Sequence, residues 1–150
     1  QFPNSLVPYD HKHTEELDVE GSGPNFNPQF EFGHGLSYTS FRYSELMTDQ
    51  ATYDLSATIH LSVKVENTGK ISGKETILVF IRDDYASITP AVKRLRAFRK
   101  IDLAPGQSEV VRFTLQPSEL AFVNQDNEWM TEPGTFTVLA GGRKTNFTIQ

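Results

Sequence analysis

Two pairs of adjacent acids, Glu15-Glu16 and Asp83-Asp84, come nearest to acid–base chemistry in this chain. Acid–base or nucleophilic chemistry by a carboxylate pair needs both groups to converge on one bond. Neighbours on a strand point to opposite faces, so Asp83 and Asp84 would not reach one substrate together. A solvated loop or cap role, with oxygens accepting from backbone N–H groups, suits them better. His11 and His13 share one face of an extended segment, near Asp10 and Glu15. A metal needs a full ligand set in fixed geometry and outer partners to orient it, and the sequence names no further ligand. Neither metal nor cofactor is expected. Lys93, Arg94, Arg96, Arg99 and Lys100 form the basic cluster. Alternation along a strand puts Arg94 and Arg96 on one solvated face, as a charged sheet surface or an edge strand guarded against pairing. Trp129 is the single tryptophan and the carbohydrate-contact candidate, because an exposed indole can stack on a sugar. Asn146-Phe147-Thr148 is an N-glycosylation sequon, informative only in a eukaryotic secretory setting.

The elements that must position these groups follow from composition and periodicity. The chain has 150 residues, which suits one domain plus an extension, with 37% hydrophobic and 22% charged residues as in ordinary globular proteins. A net charge of −5 gives no reason to expect nucleic acid or an anionic membrane as partner. There is no cysteine, which rules out disulfides and thiolate metal sites and suits cytoplasm or periplasm alike. No apolar run approaches the ~18 residues of a membrane span. The chain opens Gln1-Phe2-Pro3, without an initiator Met or a signal-peptide pattern, and reads as a piece of something larger.

Residues 1–29 are punctuated by Pro3, Pro8, Pro24 and Pro28 with Gly21 and Gly23, and show neither helical nor strand period. They read as a linker or strap on a neighbouring domain, and Tyr9, Phe26 and Phe30 favour the strap. From Tyr38 onward the pattern is β. Ala57, Ile59, Leu61, Val63 and Val65 alternate with polar residues, and Asn67-Thr68-Gly69-Lys70 is a turn. Glu75 to Ile81 is apolar almost throughout, as in a central strand covered on both faces. Val92 to Leu103 breaks strict alternation, which predicts a bulge or bend. Ala104-Pro105-Gly106-Gln107 is a turn, Val111, Phe113 and Leu115 mark a strand, and Pro117 to Val123 reads as a short helical turn or the start of a strand. Phe136, Val138 and Ala140, the Gly141-Gly142 turn, and Phe147 with Ile149 complete the pattern. Short strands between turn signals, without a long helical stretch, predict an antiparallel β-sandwich over residues 30–150.

The stretch FEFGHGLSYTSF, Phe30 to Phe41, joins the two parts. Its glycines allow an irregular turn, and Phe30, Phe32, Leu36, Tyr38 and Phe41 offer more apolar surface than an idle linker carries. It resembles the FGxGLSYTxF signature that opens the C-terminal fibronectin type III-like domain of family 3 glycoside hydrolases. VKVENTG at Val63 to Gly69, followed by Gly73-Lys74-Glu75, is similar to that family's V-x-V-x-N-T-G … G-x-E strand pair. Leu95 to Ile101, then Leu103-Ala104-Pro105-Gly106, resembles its L-x-G-F-x-K-[VI]-x-L-x-P-G block, with Ala97 where a glycine is usual. Gly134 to Val138 and Gly141-Gly142 are similar to its closing strand. FPNSLVPYDHKH at Phe2 to His13 resembles more loosely the tail leaving the middle α/β domain.

The resemblance implies a fibronectin type III-like, immunoglobulin-like antiparallel β-sandwich with an irregular N-terminal strap. Family 3 enzymes are retaining hydrolases of β-linked glucose or xylose, with an Asp nucleophile on a barrel and a Glu acid from an α/β domain. Neither catalytic segment aligns with this chain, so no catalytic residue is expected in it. The resemblance implies partners in the barrel and α/β domains of the same β-glucosidase-type enzyme, met through Tyr9, Phe30, Phe32, Leu36 and Tyr38. A homo-oligomer is left open, membrane insertion and nucleic acid are not expected, and a periplasmic or extracellular location is. The rival readings are an independent carbohydrate-binding module and an adhesion or oligomerisation sandwich.

Overall fold

A computed structural model describes Phe30, residues 33–88 and residues 91–150. Tyr9, Asp10, His11, His13, Glu15, Glu16 and Phe32 lie outside the described residues. The chain divides into two units, Gln1–Gly35 and Leu36–Gln150. In the described part of the first, Phe30 stacks on His34 with ring centroids 4.8 Å apart.

The second unit is the expected antiparallel β-sandwich. Its strands are β1 (Phe41–Thr48), β2 (Thr52–Tyr53), β3 (Ile59–Asn67), β4 (Gly73–Asp83), β5 (Arg94–Leu103), β6 (Ser108–Leu115), β7 (Phe122–Val123), β8 (Trp129–Met130), β9 (Gly134–Ala140) and β10 (Arg143–Ile149). One sheet runs β1-β3-β6, the other β2-β10-β9-β4-β5, and β7 with β8 forms a separate hairpin. The alternation read from β3 is what the fold uses. Ile59, Leu61, Val63 and Val65 all face inward and are buried, opposite Val111, Phe113 and Leu115 of neighbouring β6. Ile77, Val79 and Ile81 of β4, Phe136 and Val138 of β9, and Phe147 and Ile149 of β10 close the core from the other sheet. Phe147 stacks on Phe136 at 5.4 Å and meets the Tyr53 ring edge-on at 5.6 Å, the offset and perpendicular geometries that ring quadrupoles favour.

Several details depart from the sequence reading. β4 is paired on both sides, by β5 and β9, but only its inward residues are fully covered. Leu78 and Phe80 on its outer face are half-buried, so an apolar run overstated two-sided cover. β2 pairs parallel with β10, a short addition with no periodic signal of its own. Pro117–Leu120 is a 3₁₀ turn that leads straight into β7, so both readings of that stretch hold in succession. Gln116 and Glu119 cap the turn reciprocally, with Gln116 N donating to Glu119 Oε2 at 2.6 Å.

Candidate interface at the opening of the sandwich

Two of the sequence motifs meet in space. Asn67 ends β3 fully buried, and its side chain makes every hydrogen bond an amide can be asked for in that position. Its Nδ2 donates to Leu103 O at 2.9 Å and Ile71 O at 2.8 Å. Its Oδ1 accepts from Gly69 N at 3.0 Å and from Thr39 Oγ1 at 2.6 Å. Beside it, Thr68 N donates to Ser40 O at 2.8 Å. The segment before β1 is thereby fastened to the turn after β3. This close approach explains Gly69: a Cβ there would overlap Thr39 Oγ1 and lie 3.0 Å from Ser40 N.

Exposed apolar residues lie just upstream of Thr39. The Tyr38 side chain is 98% exposed, and Leu36 is 96% exposed. Phe30, in the other unit, is 63% exposed. Isolated surface apolar residues are ordinary, but a leucine and a tyrosine two positions apart, both almost completely exposed, form an apolar projection beside the tethered Thr39. A second projection is the β7–β8 hairpin. Asn124 Oδ1 accepts from Asp126 N and Glu128 N, both at 2.9 Å, and Asn127 takes φ 64°, which locks the turn. Trp129, opposite Val123, stands on this hairpin 73% exposed. No second aromatic faces it among the described ring contacts.

The family model for a fibronectin type III-like domain matches residues 75–144. A β-xylosidase of Formosa agariphila is 39% identical over 146 residues, covering 93% of this chain and 20% of that protein. The chain belongs to the fibronectin type III-like domains of family 3 glycoside hydrolases. A thermostable β-glucosidase of Acetivibrio thermocellus is 41% identical over 115 residues, 76% of this chain and 15% of its own length. A β-glucosidase structure from Listeria innocua superposes with a TM-score of 0.80 at 29% identity, over 95% of this chain and 22% of that one. The domain therefore spans about a fifth of the length of these relatives.

Within this fibronectin type III-like domain the acidic pair is structural. Asp83 Oδ1 accepts from Tyr85 N at 3.2 Å, while Asp84 accepts from Arg82 Nε at 2.9 Å and from Thr137 Oγ1. The capping role holds, but the side chains are half-buried rather than solvated, and burial, with Glu132 and Asp84 adding, raises the Asp83 carboxyl. Among the described residues no three His, Cys, Asp or Glu side chains are grouped to hold a metal. The basic cluster needs a correction. β5 is an edge strand as anticipated, and Arg99 and Lys100 are exposed on it. Between Leu95 and Ala97 the register against β4 slips, leaving Arg96 as the extra residue. That bulge turns Arg96 into a half-buried cleft beside Arg94 instead of onto an open charged face.

Sequence reasoning missed the polar contacts that join the two sheets. Tyr43 Oη donates to Glu75 Oε1 at 2.7 Å, bridging β1 and β4, and burial followed by this carboxylate pushes the phenol far above its ordinary value. Tyr53 Oη donates to Asp49 Oδ1 at 2.5 Å, which lowers the Asp49 carboxyl. Each pair is far apart in sequence or interrupted by a turn, so no local pattern marks it.

Proposed function

We propose that this chain is the non-catalytic domain of a retaining β-glucosidase-type glycoside hydrolase, packing on the catalytic barrel and α/β domains and stabilising them. The observation that carries this reading is the outward pair Leu36 and Tyr38, almost wholly in solvent just ahead of Thr39, whose hydroxyl donates to the buried Asn67 side chain. Apolar surface presented to solvent is costly in water and favourable against a neighbouring domain. Matched relatives several times longer supply such a neighbour. The carboxylates support the reading too, since the paired acids cap backbone and bind a threonine rather than facing each other across a cleft. A periplasmic or extracellular location is part of the same proposal, checked by fractionation of the producing cells.

The test compares two contexts. Leu36→Ala with Tyr38→Ala should leave the melting temperature of the isolated domain unchanged, because neither side chain is buried in it. In the full-length enzyme the same change should lower the melting temperature or yield, with kcat on aryl β-glucosides nearly constant. Unchanged stability in both contexts, with altered KM, would move these residues to the active-site rim and sink the proposal. A carbohydrate-binding role has one observation in its favour, the exposed Trp129 on its locked hairpin. Polysaccharide pull-down by the isolated domain, abolished by Trp129→Ala, would establish that role instead.

A further inference from the structure

The end of the sandwich beside the β7–β8 hairpin holds a cleft with an unusual wall. Ile81, Leu120, Phe122 and Phe136 make it apolar, and Arg94 and Arg96 enter from the bulged strand β5. Arg94 Nη1 reaches Ala121 O at 3.4 Å, a long contact. Arg96 makes no hydrogen bond or ion pair among the described residues. Glu119 attracts it from a distance, but that carboxylate accepts from Gln116 N at 2.6 Å as part of its cap. Burial, and then the like charge of Arg94, oppose the Arg96 guanidinium's charge. Two neighbouring cations, one half-desolvated and without an ion-pair partner among the described residues, thus stand against an apolar wall.

From this cleft we propose a site for a carboxylate carried on a short aliphatic stem, its oxygens taken by Arg94 and Arg96 and its stem by Leu120 and Phe122. A guanidinium is planar and weakly hydrated, presents a fork of donors matched to a carboxylate, and remains charged even where burial opposes it. The remaining ionisable group on the wall, Asp83, does not compete for that end. Its carboxylate accepts from Tyr85 N, and the charges acting on it are Glu132 and Asp84 rather than either arginine. The carboxylate could belong to a soluble organic acid or to an Asp or Glu side chain of another domain. The site itself does not depend on the packing proposal.

Titration of the isotope-labelled chain with sodium butyrate, followed by NMR of arginine Nε–Hε and backbone amides, tests it. Saturable shifts should appear at Arg94, Arg96 and Leu120, with a dissociation constant on the order of millimolar for so small a ligand. Butanol, which keeps the stem and loses the charge, should bind at least about tenfold more weakly, a factor set by about 1.4 kcal/mol. Arg96→Gln should weaken butyrate equally while leaving the remaining amide spectrum folded. Arg99→Gln, an exposed cation on the same strand, should change nothing. Shifts that rise linearly without saturation, or that are the same with butanol or in Arg96→Gln, would overturn the proposal. In the full-length polypeptide, a lost butyrate response identifies a neighbouring side chain as the occupant, and a retained one identifies a soluble acid. Both results support a carboxylate site that the isolated chain has already demonstrated.

Discussion

Replacing Asn67 should be among the most damaging single changes in this domain, and its pH dependence should reveal why. Asn67→Ala removes the two Nδ2 donors and leaves the carbonyls of Leu103 and Ile71 without them. A buried acceptor stripped of its partner costs about 1–3 kcal/mol. Leu103 is fully buried and bears that cost in full, whereas Ile71 is exposed and its carbonyl can find water. The expected loss is therefore about 2–4 kcal/mol, a large part of a domain's stability. Asn67→Asp is the sharper probe, since it keeps the acceptor for Gly69 N and Thr39 Oγ1 and sets a second oxygen against the two carbonyls. In the folded state that carboxyl should be protonated, donating to a carbonyl in place of Nδ2, so its pKa is raised above the unfolded value of ~3.9. A raised carboxyl binds its proton more tightly in the folded chain. The variant's stability relative to wild type is thus highest below pH ~4 and falls as pH rises, levelling off once the folded-state pKa is passed. Each unit of raised pKa contributes about 1.4 kcal/mol to that fall.

Urea unfolding followed by far-ultraviolet circular dichroism at a series of pH values measures this directly. Trp129 is a poor fluorescence reporter because it is already exposed when folded. The reasoning would be refuted by an Asn67→Ala variant within about 0.5 kcal/mol of wild type, the size of an ordinary surface change. It would equally be refuted by an Asn67→Asp deficit identical at low and neutral pH. Thr39→Val serves as the graded control, since it deletes one neutral hydrogen bond and should cost about 1 kcal/mol with no pH dependence.

Other substitutions test separate parts of the structure. Tyr53→Phe removes the donor that lowers the Asp49 carboxyl. That carboxyl's contribution is present above the unfolded value of ~3.9 and is lost as pH falls through the lower folded value, so wild type and variant should converge in acid on urea titration. Gly141→Ala should destabilise by at least about 1–3 kcal/mol in thermal melts, since the residue has φ 53° and an added Cβ would overlap the Tyr43 ring. Glu75→Gln should be milder than Tyr43→Phe in the same melts. The amide still offers Tyr43 an acceptor, whereas losing the phenol breaks the bond between the sheets.

How much of this could be read in advance depends on whether a feature is periodic. β3 was legible because Ile59 through Val65 face a core at every second residue, and burial imposes that spacing on the sequence. The bulge in β5 is legible as broken alternation, but not which side chain it redirects, and alternation alone puts Arg96 on an open face. A bulge adds one residue to one strand, and the side to which that residue turns is decided by the partner's register against Val79 and Phe80. Asn67 was legible only as a turn residue. Asparagine suits turns by its own chemistry, and nothing local distinguishes one that faces water from one that faces Leu103, thirty-six positions on.

That distinction bears on why the opening segment is shaped as it is. Leu36 and Tyr38 need a fixed backbone if they are to meet another surface without a large ordering cost, and the sandwich core cannot supply one, because both residues precede the first strand. The buried amide offers an anchor just after them, at Thr39. It draws Thr39 into the end of the sandwich, Gly69 makes room for the close approach, and Thr68 fixes Ser40 from the other side. If Leu36 and Tyr38 meet a neighbouring domain, as proposed, fold stability and the placing of that contact run through the same hydrogen bonds. Asn67→Ala in a full-length enzyme should consequently do more than destabilise this domain: it should also release the Leu36–Tyr38 mount, so its effect and that of the Leu36→Ala, Tyr38→Ala pair should be less than additive in a double-mutant cycle. In the isolated domain, where the exposed pair contributes nothing, the same cycle should show no coupling. Coupling of equal size in both contexts would place the link inside the sandwich rather than at a contact with a neighbouring domain.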